Sequence, residues 1–570
     1  MIYAVLDIET DTKHQKIWMA AVKRSDEEVV HWTTEPIFLS RMLEDVDIFI
    51  GHNILSFDIP VLSKVWSVDI AAERVLDTMI MSQLYDPSLA GGHSLDNWGK
   101  ILGHPKGDFS DFDAGWSEEM TEYCKNDVLL TEKVYKHLRK KISDEKFTAR
   151  SIQLEHDVRV VVNEQQDNGF KLDVNKAMNL VADLEAEAIE IEMELQTVFE
   201  PNIKQLKTKV KTTPFNPTSR AQVADRLMRR GWTPKLWTDP GNPKKTLTTQ
   251  TKKPKSQPVI NGEILEEVGK LIPEVAPLAR LFMLQKRIAQ INSWILLADK
   301  DGRVHGKVIT NGAVSSRMTH HSPNMAQVPA VRKPLGKECR ECWIVDEGNV
   351  LVGIDASGLE LRMLAHYMDD AAFTESVCEG RSEDGTDVHT RNMKAAGLTS
   401  RDDAKTFIYA FLYGAGAEKI GSIVGGGAAE GKELIEKFLE SVPSLQQLKK
   451  KIARQLKNSA TLPGLDGRRL RIRSEYAALN QLLQGGGAIV MKRALLIFKL
   501  YLTVLEREYN IKIKIVANVH DEWQVECPEA VADTVGEHGI RSIREAGLYY
   551  NLRCPLTGEY KYGSNWAETH

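Results

Sequence analysis

An unbroken apolar run, Val350-Leu351-Val352-Gly353-Ile354, ends on Asp355 and passes at once into helical spacing through Leu359, Leu361, Leu364 and Ala365. Its length and composition predict a buried strand that delivers one carboxylate at its end. About 165 residues later, Lys512 to Glu526 alternates polar and apolar residues on both sides of His520-Asp521-Glu522, the pattern of a hairpin with acids at its tip. One acid at a strand end is ordinarily a turn or cap residue. Two such tips brought together have a further capacity, because paired carboxylates can hold two divalent ions about 4 Å apart for phosphoryl transfer.

Between these strands lies Thr399 to Gly414, TSRDDAKTFIYAFLYG. Arg401, Lys405, Tyr409 and Tyr413 recur every four residues, so on a helix they form one stripe of two cations followed by two rings. Thr399 with Asp402 predicts a capping box that starts the helix just before Arg401 and aims its positive end to the same side. Phe407, Ile408, Phe411 and Leu412 already supply a core face, so folding alone does not require the stripe. Cations grading into aromatic rings suit a triphosphate whose base stacks.

At the amino terminus, YAVLDIET and KIWMAAVK predict two adjacent strands of a mixed sheet, with Asp7 and Glu9 on one face. Gly51 to Asp58, GHNILSFD, follows, and then Tyr123 and Asp127 share a helix face in YCKND.

In order, DASGLELR, RDDAKTFIYAFLYG and VHDE resemble the three polymerase motifs of family A, the polymerase I-like DNA polymerases. The likeness is closest to the replicative polymerases of short-tailed T-odd bacteriophages and runs from Met1 to the closing GSNWAETH. The amino-terminal acids resemble the DxE, NxxxxD and YxxxD motifs of the DEDDy 3′-5′ exonucleases. The resemblance implies an α/β multidomain chain: a ribonuclease H-like exonuclease domain (1–145), then a right-hand polymerase. The hand has a thumb (146–300), a palm in two parts (301–368 and 490–570) and fingers (369–489). It also implies two Mg2+ held by Asp7, Glu9, Asp58 and Asp127, with Tyr123 orienting the attacking water. Two more belong at Asp355, Ala356 and Asp521, with Glu522 as an accessory acid and Mn2+ able to substitute. Arg401, Lys405 and His389 are implied to hold the phosphates, Tyr409 to face the sugar and Tyr413 to lie beside the nascent pair. Glu360, five residues after Asp355, matches the position whose bulk excludes a ribose 2′-hydroxyl. Arg317, Asn324, Gln327, Asn480, Gln484 and His520 are implied contacts of primer-template DNA, and Gly485 to Gly487 are expected to let backbone and DNA approach closely.

Composition limits the alternatives. A net charge of −5 and a pI near 6.4 exclude a surface that holds nucleic acid everywhere, so DNA binding is expected to be local. Two basic runs are available, Lys204, Lys207, Lys209 and Lys211, and Lys244, Lys245, Lys252, Lys253 and Lys255. Six scattered cysteines fit a reducing compartment, and Cys339 with Cys342 has zinc-ligand spacing but lacks a second pair. GGAAEGK, from Gly426 to Lys432, nearly matches a phosphate-binding loop, but Glu433 stands where a Ser or Thr should hold magnesium. Nothing in the sequence suggests a membrane or export signal, and the expected location is the cytoplasm of an infected bacterial host. The long exposed helix Leu180 to Phe199 and Leu281 to Ala289 read as thumb helices, and Phe215 to Pro258 reads as a loop-rich basic segment. Only about fifteen residues separate the first helix from Phe215, where the coliphage enzyme carries a thioredoxin-docking insertion, so thioredoxin is not an expected partner. Helicase-primase and single-stranded DNA-binding protein are implied by the resemblance, a monomer is expected, and no 5′ nuclease is expected. A single-subunit RNA polymerase is disfavoured by Glu360. A stand-alone nuclease leaves the last four hundred residues unexplained, and a non-catalytic scaffold leaves the carboxylate sets unexplained.

Overall fold

The computed structural model describes residues 1–205 and 209–570, so Lys207 of the first basic run lies outside the described residues, as does the side chain of Lys244 in the second. The chain divides into two compact units, one of Met1–Phe170, His305–Gln327 and Val345–His570, the other of Lys171–Val304 and Val328–Ile344. The segment expected as thumb is therefore shared, since the helix Ala149–Asn168 packs in the first unit.

The first unit opens with a five-stranded mixed sheet of order β3-β2-β1-β4-β5, built from β1 (Tyr3–Thr10), β2 (Ile17–Arg24), β3 (Val30–Thr33), β4 (Ile48–Gly51) and β5 (Val75–Asp77). β1 is central, antiparallel to β2 and parallel to β4, and is packed on both faces, which is why it reads as an apolar run interrupted by two acids. Helix α1 (Glu118–Asp144) covers one face, and α2 (Ala149–Asn168) leads onward. The polymerase motifs sit on a second sheet, in which β6 (Asn349–Ala356), β7 (Lys514–Val519), β8 (Glu522–Pro528) and β9 (Gly558–Gly563) take the order β7-β8-β6-β9. Around it lie α3 (Leu359–Met368), α4 (Val388–Ala396), α5 (Arg401–Leu412), α6 (Ala428–Ser441), α7 (Ala478–Tyr509) and α8 (Ala532–Tyr549).

The glycines of α7 serve packing. A Cβ at Gly486 would stand 2.6 Å from Met363 Cε and 2.9 Å from the Tyr367 hydroxyl, and one at Gly487 would stand 3.2 Å from Leu359, so these residues bring α7 close to α3. The expected approach to DNA at this run is corrected: all three glycines are buried among protein side chains. The near phosphate loop is closed by the chain itself, because Glu430 accepts the Gly427 N–H at 2.8 Å and caps α6.

In the second unit the helices Val174–Val198 and Ala276–Leu297 pack together and are joined by a two-pronged Arg280–Glu187 pair at 2.6 and 2.8 Å. Both run longer than the sequence indicates. The expected loop-rich segment holds the helix Arg220–Arg229, whose Val223, Ala224 and Leu227 are buried, and a two-stranded sheet of Leu236–Asp239 and Asn242–Thr248. Its prolines and lysines hid the pattern of a short amphipathic helix. Burial pushes the Cys339 and Cys342 thiols up to about 11 and about 12. All six cysteines are free thiols, and among the described residues no helix is long and apolar enough to cross a membrane.

Candidate active sites

The first site is built on β1. Asp7 and Glu9 project to one side, and the register of β1 on β2 shifts between Glu9 and Thr10, a bulge where the strand meets the site. Asp58 opens a short helix, and its Oδ1 accepts the Ile8 N–H at 3.2 Å, which ties it to β1 between the other two acids. The loop that carries Asp58 is itself held by Asp77 at the end of β5, whose carboxylate accepts the N–H groups of Asn53 and Leu55 at 2.9 and 3.2 Å. Ser117 caps α1 by accepting from Met120 N–H, and the helix then presents Tyr123 and Asp127 on one face.

Asp7, Glu9, Tyr123 and Asp127 line a cavity of about 430 Å³. Burial, and after it the repulsion of Glu9, Asp58 and Asp127, holds the Asp7 carboxyl well above the usual range. Burial and Asp127 bring Glu9 up to about 8, and burial brings Asp58 to about 7. Cys124 stays a thiol for the same reason and donates to Asp7 Oδ2 at 3.7 Å, so it positions that carboxylate rather than competing for a hard ion. Ligand atoms of Asp7, Glu9 and Cys124 lie within 4.8 Å of one another, and the buried Asp127 Oδ1 finds no hydrogen-bond partner among the described residues. Crowded, mutually repelling carboxylate oxygens fit Mg2+ or Mn2+.

In the second site, β6 places Asp355 opposite Glu522 on β8 and Glu559 on β9. β7 and β8 turn tightly through His520 and Asp521, with His520 in the left-handed region at φ 62°. The Ala356 N–H donates to the Asp521 carbonyl at 3.0 Å, which locks the hairpin tip to the end of β6. Burial, then the charges of Asp521, Glu522 and Glu559, brings Asp355 up to about 8; burial likewise raises Asp521. Arg317 offsets part of this at Asp521, yet burial prevails and both carboxyls stay raised, an excess of negative charge that divalent ions would relieve. Glu522 faces the closing segment: its Oε1 accepts from Trp566 Nε1 and Gln524 Nε2, both at 2.7 Å, and pairs with His570 Nε2 at 3.0 Å.

Along α5, Arg401, Lys405, Tyr409 and Tyr413 do form a stripe away from the buried Phe407, Ile408, Phe411 and Leu412. The expected capping box is corrected by one residue. Ser400 is the cap and accepts from Asp403 N–H, because its side chain and not that of Thr399 lies over the first turn. Arg401 pairs with Asp387 at 2.9 Å; although burial opposes it, bonds from Arg401, Thr390 and the His389 N–H hold the Asp387 carboxyl at about 2. The His389 and Tyr409 rings stand 6.2 Å apart. Glu360 on α3 accepts the Tyr413 hydroxyl at 2.8 and 2.9 Å and pairs with Arg317 at 3.1 Å, so three expected substrate-side residues form one bonded group. Arg317 and His520 line a further small cavity. Asn324 and Gln327 flank a tight turn that packs against β7, and Asn480 and Gln484 sit one turn apart, half-buried, on α7.

Residues 185–568 match the family model described as DNA polymerase family A. The chain belongs to that family. Residues 9–143 match the model described as 3′-5′ exonuclease. The DNA-directed DNA polymerases of Enterobacteria phage T3 and Escherichia phage T7 are each 31% identical to it over 92% of this chain and 92% of their own. A thermostable DNA polymerase I of Thermus thermophilus is 25% identical over 94% of this chain and 60% of its own length. Among solved structures, the POL domain of Pol1 from M. smegmatis, in complex with DNA primer-template and dNTP, agrees in fold with a TM-score of 0.78 at 17% identity, covering 100% of this chain and 96% of that one. This family A member is a DNA-directed DNA polymerase with a 3′-5′ exonuclease domain ahead of a right-hand polymerase domain.

Sequence reasoning missed Lys106, which reaches the exonuclease cavity, along with Asp77, Cys124 and Asp387. Only Asp387 carried a local signal, an Asp two residues before a helical His, in the position of an N-cap.

Proposed function

We propose that the polymerase replicates phage DNA by adding dNTPs to a primer 3′ end with two divalent ions held at Asp355, the Ala356 carbonyl and Asp521, and that it proofreads with two more held at Asp7, Glu9, Asp58 and Asp127. Mg2+ is the proposed ion at both sites, with Mn2+ as a substitute. When bound, such ions lower the pKa of the primer 3′-hydroxyl and neutralise charge on the leaving pyrophosphate. Arg401, Lys405 and His389 bind the phosphates; Asp387 keeps the Arg401 guanidinium extended toward them. Tyr409 faces the sugar, and Tyr413, fixed by Glu360, lies beside the nascent pair while Glu360 crowds the 2′ position. Arg317, Asn324, Gln327, Asn480, Gln484 and His520 contact primer-template, Glu522 acts as an accessory acid, and Tyr123 orients the attacking water in the exonuclease site. The thumb comprises residues 171–300, and palm and fingers follow the boundaries expected from the sequence. Helicase-primase and single-stranded DNA-binding protein are the proposed partners in the host cytoplasm, without thioredoxin; only about fifteen residues separate the helix ending near Phe199 from Phe215, and among them Asn202–Gln205 pairs antiparallel with Val210–Thr213.

The observation that carries this reading is that the end of β6 and the hairpin tip, joined by the Ala356 N–H to Asp521 carbonyl bond, bring together Asp355 and Asp521, 166 positions apart in sequence, as half-buried carboxyls that are both raised. The test is separation of activities. Asp7→Ala with Glu9→Ala is expected to abolish 3′-5′ digestion and leave extension, and Asp355→Asn to do the reverse. Loss of both activities from either change would show that one site had been taken for two.

A further inference from the structure

The exonuclease cavity contains a cation for which the carboxylates and Tyr123 leave no assigned role. Among the residues lining it, Lys106 is the one Lys or Arg. Its Nζ lies 2.8 Å from Asp127 Oδ2 and over the Tyr123 ring, 5.0 Å from the ring centroid. An ammonium has three N–H donors, so pairing with Asp127 leaves donors to spare on a side chain that lines the cavity. The position is built. The His104 N–H bonds the Gly99 carbonyl at 2.9 Å, Asn126 on α1 bonds the Pro105 carbonyl at 3.2 Å and His104 Nε2 at 2.8 Å, and a Cβ at Gly99 would stand 3.2 Å from the Lys106 backbone nitrogen. The loop on the amino-terminal side of Lys106 is thus pinned to the helix that carries Tyr123 and Asp127.

We infer that Lys106 is a catalytic residue of the exonuclease, whose ammonium hydrogen-bonds a non-bridging oxygen of the scissile phosphate. The inference rests on the assignment of this cavity as the exonuclease site. In the reaction a water oxygen forms a bond to the terminal phosphorus and the bond from phosphorus to the preceding O3′ breaks. One proton of the water passes to solvent, the departing O3′ takes one up, and a nucleoside 5′-monophosphate leaves. Negative charge grows on the non-bridging oxygens as the new bond forms, and a positioned cation within reach of them is worth more there than in the ground state. The same ammonium lies over the ring of Tyr123, whose phenol is proposed to orient the attacking water.

The experiment uses the full chain and single-turnover hydrolysis of a 5′-labelled single-stranded oligonucleotide across a Mg2+ series, with primer extension on the same preparations to report folding. Lys106→Gln is expected to lower the maximal hydrolysis rate about 100-fold, with the half-saturating Mg2+ and oligonucleotide concentrations within about threefold of wild type, and Lys106→Arg to recover most of the loss. A Lys106→Gln rate near that of wild type, or a loss repaired by more Mg2+, overturns the inference and leaves Lys106 a partner of Asp127 only. Asp7→Ala run alongside separates the two ideas: hydrolysis surviving that change overturns the cavity's assignment, and this inference with it.

Discussion

Glu155 on α2 offers the most quantitative test of how the helix that follows the exonuclease domain is fastened to the polymerase part of the first unit. Its Oε1 lies 2.6 Å from Lys492 Nζ on α7 and 2.6 Å from Arg468, which also forms a two-pronged pair with Asp466. All four side chains are at most 2% exposed, and their formal charges cancel. Glu155→Gln leaves one positive charge in excess, and removing one partner of a buried pair costs about 3–5 kcal/mol. Lys492 limits its share by giving up its proton. Burial already holds this ammonium down at about 8, even with Glu155 beside it. In the variant Lys492 is expected to be neutral in the folded state throughout the accessible range.

The sign follows from proton counting. Unfolded Lys492 stays protonated to about pH 10.4 in both proteins, so each protein gains stability with pH once its folded form has lost the proton. The variant gains from low pH upward, and the wild type gains only above about 8. The part of the difference owed to Lys492 therefore narrows as pH rises towards 8, from roughly 3 kcal/mol at pH 6 to roughly 1 kcal/mol at pH 7 and close to nothing at pH 9. The share of Arg468 does not vary, because its guanidinium stays charged. Urea unfolding followed by tryptophan fluorescence at pH 6, 7 and 9 measures the difference. A flat difference, or one that widens with pH, would show that Lys492 is not the group that carries the excess charge.

Glu360→Ala removes the acceptor of Tyr413 and the partner of Arg317 and opens the 2′ side of the sugar, so the ratio of ribo- to deoxynucleotide incorporation is expected to rise by about tenfold or more, equivalent to about 1.4 kcal/mol. An unchanged ratio in paired primer-extension assays would remove Glu360 from the sugar. Tyr409→Phe deletes a hydroxyl that can stand in for the missing 3′-hydroxyl of a dideoxynucleotide. Discrimination against ddNTPs is expected to rise by one to two orders of magnitude, about 1–3 kcal/mol, with little change for dNTPs, and wild-type rejection already as strong as that of the Phe variant would show that Tyr409 does not face the sugar.

Three of the proposed catalytic acids stood out in the sequence because each breaks a local rule. Asp7, Glu9 and Asp355 sit in strands that are otherwise apolar and buried, where a carboxylate is costly, and such conflicts between local pattern and core gather at functional sites. Arg401 to Tyr413 was legible for the same reason: helical period placed a second, chemically distinct face on a helix that already had a core face. Lys106 breaks no rule. A lysine in a Pro- and Gly-flanked loop is ordinary, and its meaning arises only when the fold brings Tyr123 and Asp127, 17 and 21 positions later, around its amine. The glycine run of α7 failed in the opposite way. Gly485 to Gly487 announced a close approach, and what approaches was open until the side chains of Leu359, Met363 and Tyr367 on α3 filled the space. Glu155 and Lys492 show the limit most sharply, since a charged residue on a helix reads as solvated unless the partner that buries it is known, and here the partner is 337 positions away. Period and local chemistry therefore identify groups that must meet something, while the identity of the partner is decided by tertiary packing.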